Sequence, residues 1–180
     1  TFYTTNGSTP AINAAGVAQG STQSGTSVTI PNIEGSYTVQ YFSVDNVGNK
    51  EAVQTATSIV VDKTNPTISS VALASVAPAA TTNNGQPAAF KSGNTVFYAR
   101  QPAGAAGGSF QLAVTGSDAT AGIKDGSFPT LGGTPGSWTH TAESNVAQSS
   151  NVVTSTNNFA WPDNESASPT EALTVRDNAL

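Results

Sequence analysis

The sequence predicts an all-β protein of sandwich type, and three observations carry that reading. Only 9% of the residues are charged, and Ser, Thr, Asn, Ala and Gly crowd the chain. Thr and Val suit a pleated, half-buried surface. Apolar residues alternate with polar ones over several stretches, the period of a strand with one buried face. Turn-forming residues recur between these stretches, as in a protein of many short strands. No stretch sustains an i, i+3, i+4 apolar pattern with caps, so helices are expected to be short or absent.

The elements follow in chain order. Thr1 to Thr5 forms a short strand that stops at the Asn6-Gly7 turn. In "GSYTVQYFSV", Tyr37, Val39 and Tyr41 point to one face and Thr38 and Gln40 to the other. Val47-Gly48-Asn49 turns the chain into "VQTATSIVV", where Val53, Ile59 and Val61 share a face with Thr55 and Thr57. The stretch "SVAPAATTNNGQPAAFKSG" (75–93) is expected to be a surface loop containing the Asn84-Gly85 turn, with a piece of edge strand near Ala88 to Phe90. A second loop is expected over 102–108. In "SFQLAVTG", Phe110, Leu112 and Val114 alternate with Gln111, Ala113 and Thr115. Asp125-Gly126 and Gly132-Gly133-Thr134-Pro135 are expected to be turns.

Length and charge narrow the function. A chain of 180 residues holds one large or two small domains. With no cysteine there are no disulfides, thiolate metal sites or cysteine nucleophiles. The absence of methionine points to a processed chain or a fragment. No secretory leader is visible, and no apolar run reaches the roughly 18 residues of a membrane span. The net charge is -5, and the six basic residues are scattered singly. Binding to a phosphate backbone needs clustered Lys and Arg, so nucleic acid is excluded as a partner.

The domain boundary falls in "VVDKTNPT" (60–67), where a strand runs into Asp62 and Pro66 forces an extended residue before it. This is a short, stiff link. The phrase "YFSVDNVGNKE" has an echo in "EALTVRDNAL" at the C-terminus. Together "TFYTTNGSTP", "VTIPNIEGSYTVQYFSVDNVGNKE" and "VVDKTNPTI" resemble the Ig-like repeat modules of large bacterial cell-surface and secreted proteins. "SDATAGI", "FPTL", "FAWP" and "TVRDNA" resemble a sibling module. The resemblance implies two tandem Ig-like β-sandwiches, residues 1–62 and 63–180, in an extracellular or cell-surface protein. Aligning Asp45 to Asn49 with Asp177 to Leu180 implies that the second module lacks its last strand. The first, with about four strands against about seven for an Ig sandwich, lacks its N-terminal strands. Neighbouring repeats, or further copies of the chain donating strands, are the implied partners. In a filament of copies, Thr1 to Thr5 and Glu171 to Leu180 would lie at the contact.

Residues able to do chemistry are few. His140, in "SWTHTAE", lacks a G-x-S-x-G elbow or an acid placed by motif, and its alternation with Trp138 reads as a solvent-facing strand position. Asp163 and Glu165 are the acid pair beside an aromatic, and with Pro162 they read as a solvated loop rather than a glycosidase pair. Trp138 and Trp161 are candidates for stacking on surface glycans, although Trp161, in "NFAWP", also fits a core strand position. Asp45, Asn49, Glu51, Asp62, Asp118 and Asp125 offer hard oxygen ligands for calcium, the single cofactor considered. None has EF-hand spacing, and Asp and Asn also serve turns through their own hydrogen bonds. Asn6-Gly7-Ser8 and Asn164-Glu165-Ser166 fit the glycosylation acceptor pattern.

The function expected from all this is non-enzymatic: a structural or adhesive segment of an extracellular repeat protein, stalk or filament. The alternative is a carbohydrate-binding accessory module of a secreted enzyme.

Overall fold

The computed structural model describes residues 1–81, 85–101 and 103–179, and every regular element within them is a β-strand. Asn84, Pro102, Leu180 and the side chain of Thr57 lie outside the described residues. The chain divides into two compact units, Thr1–Thr64 and Asn65–Asn178.

The first unit holds β1 (Phe2–Thr4), β2 (Ala11–Ile12), β3 (Ala18–Gln19), β4 (Gln23–Ser24), β5 (Gly35–Phe42) and β6 (Gln54–Val61). Four of these form an antiparallel sheet in the order β4-β1-β5-β6, and β2 and β3 make a separate hairpin. Strand β1 ends as expected at Asn6-Gly7. Gly7 takes φ +77°, a conformation that costs glycine little, and its N–H donates to the Thr38 carbonyl. Of the face expected inside, Val39 is buried while Tyr37 and Tyr41 are half-buried. Phe42, out of phase with all three, is fully buried. It stacks on Phe2 across the strand pair, centroids 5.5 Å apart, and the Lys50 ammonium lies 3.9 Å from its ring centre. A cross-strand aromatic pair roofed by a lysine stem overrides the simple alternation.

The second unit is built on a long antiparallel pair, β7 (Thr67–Ala77) with β10 (Gly108–Ser117). Between them in sequence lies the hairpin of β8 (Ala89–Ser92) and β9 (Thr95–Tyr98). After β10 come β11 (Ile123–Phe128), β12 (Gly132–Thr134), β13 (Glu143–Ser149), β14 (Val152–Thr154), β15 (Phe159–Trp161), β16 (Ser168–Thr170) and β17 (Thr174–Asp177). On its other edge β10 pairs with β15 near its start and with β14 further along. The sheet then continues through β13 and β11 to β17, curling as it goes.

The curl wraps the core. Phe110, Leu112, Val114 and Gly116 of β10 are buried while the residues between them are not, the alternation read from the sequence. Phe110, Leu112 and Val114 join Ile123, Phe128, Trp138, Val153, Phe159 and Trp161 in one apolar cluster. Gly108 lies so close to the Trp161 indole that an added Cβ would sit 2.1 Å from the ring.

Two expected turns are strands instead. Asp125-Gly126 lies inside β11, where Asp125 pairs with Ala147 and Arg176 and Gly126 with Val146 and Val175. The glycine serves close packing: a Cβ there would meet the Thr174 carbonyl oxygen at 2.8 Å. Gly132 to Thr134 forms β12, paired with β16. The expected 75–93 loop is also shortened, since β7 runs to Ala77 and β8 spans Ala89–Ser92.

Candidate functional site

Within the second unit, the curled sheet does not close completely on its core. A cavity of about 780 Å³ remains, bounded by the β8–β9 hairpin, by Phe110 and Leu112 of β10, and by the segment from Ser168 to Leu173. Ligand pockets commonly fall between about 300 and 1,000 Å³. Its lining is mostly apolar and aromatic: Tyr98, Phe110, Leu131, Trp138, Phe159 and Leu173 all contribute. The Tyr98 hydroxyl donates to the Ala167 carbonyl at 2.8 Å, which fixes that ring at the wall.

One ionisable group breaks the pattern. Glu171 lines the cavity, and both of its carboxylate oxygens are shielded from solvent with no hydrogen-bond partner among the described residues. Burial pushes its carboxyl up to about 7, because taking the charged form out of water is costly. The Nε1–H of Trp138, on the same lining, also lacks a partner. Sequence reasoning treated Glu171 only as the start of a strand, yet a signal was present. In "SPTEALTVR", Pro169, Leu173 and Val175 are partly covered while Thr170, Ala172 and Thr174 are exposed. Glu171 is the acid on the inward phase.

The two tryptophans are core residues. Trp138 and Trp161 retain 7% and 3% of their accessible surface and stack on each other with centroids 4.6 Å apart. Trp161 Nε1–H donates to the Ala99 carbonyl. Neither ring leaves an exposed face as a platform for a sugar. His140 is half-buried rather than solvent-facing. Its ring stacks on Phe159 at 3.8 Å, and among the described residues neither ring nitrogen has a hydrogen-bond partner.

The acids named from sequence each accept hydrogen bonds, and Asp62 Oδ2 is buried without a partner among the described residues. Asp45 accepts from the Val47 and Asn49 N–H groups and from the Asn49 side chain, and the Asn49 bonds chiefly hold its carboxyl below the usual range. Glu51 accepts from the Ser43 N–H. Asp62 accepts from the Thr64 N–H and hydroxyl. Asp118 accepts from the N–H groups of Thr120, Ala121 and Gly122. Asp125 takes both Nε and Nη2 of Arg176, each at 2.7 Å, which depresses its pKa. Asp163 accepts from Gly104 N–H, and Glu165 from those of Ser137, Ser166 and Ala167. Both acceptor asparagines, Asn6 and Asn164, are exposed. The Asn164 side-chain oxygen accepts from Arg100, and that of Asn6 from Ser8.

No protein-family model matches the chain, and no curated protein or solved structure matches it.

Proposed function

We propose that the chain is a non-enzymatic structural or adhesive segment of an extracellular repeat protein, with its two units belonging to the Ig-like sandwich class. One observation carries this reading: the way the acids are used. Of the eleven acidic residues, Asp45, Glu51, Asp62, Asp118, Glu143, Asp163 and Glu165 all accept backbone N–H bonds. Such bonds pin loops and turns, the task Asp performs where chain reversals must hold their shape.

The link supports the same reading. Lys63 Nζ donates to the Asn32 carbonyl and the Thr64 hydroxyl to Glu34, so the start of the link is fastened to the first unit. Pro66 restricts the residue before it. Strand order adds to this, since neighbours β10 and β14 are far apart in sequence, as in Greek-key sandwiches. Neighbouring repeats or further copies of the chain are the proposed partners. With the indoles of Trp138 and Trp161 buried, no observation favours the carbohydrate-binding alternative.

Antibodies raised against the folded chain should stain intact, unpermeabilised source cells or their secreted fraction. External protease should remove that signal. Staining that requires permeabilisation would contradict the proposal.

A further inference from the structure

Beyond a structural role, we propose that the cavity of the second unit binds a small organic cation, an amine carried on an apolar or aryl body. Three features on its wall point to that chemistry. The first is the unpaired Glu171 carboxylate, covered from water and without a hydrogen-bond donor. A covered carboxylate is costly until something compensates it, and a cationic N–H donor compensates both its charge and its lone pairs. The second is the set of rings around the same space, Tyr98, Phe110, Trp138 and Phe159. Aromatic faces attract ammonium groups and bury apolar bodies. The third is the free Nε1–H of Trp138, a donor left for any acceptor the ligand carries.

The other charged group on the wall is Lys91, on β8. Lys91 forms no ion pair with Glu171, so the carboxylate stays open to a ligand cation. An anionic ligand would meet an uncompensated carboxylate and is disfavoured. The cavity is large for an aryl ethylamine and has room for longer alkyl or bicyclic amines.

The test uses the full chain at pH 8, with 2-phenylethylammonium, the neutral 2-phenylethanol and the anion phenylacetate as probes. Binding is read by calorimetry and by the tryptophan emission of the chain. The amine should bind at least ~10-fold more tightly than either control, the scale of one charged hydrogen bond. Glu171→Gln should remove that preference while leaving the affinity for 2-phenylethanol in place, with near-UV dichroism confirming the fold. Lys91→Gln should leave amine binding equal or stronger. The proposal is overturned if phenylacetate binds best or if Glu171→Gln leaves the amine preference intact. It is equally overturned if no probe binds at ~10 mM.

Discussion

Trp138 and Trp161 stack on each other at 4.6 Å, their planes 29° apart, and each also meets Tyr98 edge-on. This aromatic knot ties the loop before β13 to β15 and β9. Trp161→Ala should cost about 3–5 kcal/mol, as for other large-to-small core changes, measured by denaturant unfolding. Soluble oligosaccharides should leave the tryptophan emission of the native chain unchanged. A saturable shift would restore a sugar-binding role for these rings.

Asp125 and Arg176 join neighbouring strands β11 and β17. The Arg176 hydrogen bonds lower the Asp125 pKa in the folded state. The pair therefore stabilises the fold above the ordinary aspartate range, and that contribution is lost as pH falls through the depressed folded value. The arginine side chain is 44% exposed, so screening keeps the term small. Asp125→Asn should cost about 1 kcal/mol at pH 7 and progressively less as pH falls below the ordinary aspartate range. A loss that does not shrink on acidification would show that the bridge is not the cause.

Glu171 works in the opposite sense. Its folded pKa of about 7 lies above the ordinary 4.5, so the folded chain holds this proton more tightly than the unfolded one. Stability from this group is complete below pH 4.5 and falls away as pH rises through 7. Lys91 and Tyr98 are the other titratable side chains on the cavity wall. Glu171→Gln should flatten the melting temperature between pH 5 and pH 8 and raise it by a few degrees at pH 8. An unchanged slope would place the carboxyl in water.

Gly108→Ala probes the close approach beneath Trp161. The new methyl would overlap the indole, and overpacking of this kind costs about 1–3 kcal/mol. Gly104→Ala has space but a φ of +83°, so it should cost about 1 kcal/mol through strain alone. If Gly104→Ala proves the worse of the two, the packing of β10 against β15 is not as described.

The strands were legible where one face is buried and the other wet. Strand β10 shows this best, because its inward residues meet the core and its polar residues do not. Legibility failed where glycine served packing rather than turning. Gly126 and Gly132 read as turn residues, yet both sit in paired strands where a neighbouring chain or side chain comes close. It failed again where burial depends on distant partners: Phe42 needs Phe2, and His140 needs Phe159. Asp45 and Asp118 accept backbone N–H bonds within their own turns. Glu171 was overlooked because an isolated acid at the mouth of a short strand carries no motif. Only its phase marks it.

That the chain is a structural segment is tested most directly by pulling on it between handles at its two ends. Units that bear force should give two discrete unfolding events, lengthening the chain by roughly 20 nm and 40 nm for residues 1–64 and 65–178. Smooth, featureless extension at low force would contradict the structural reading.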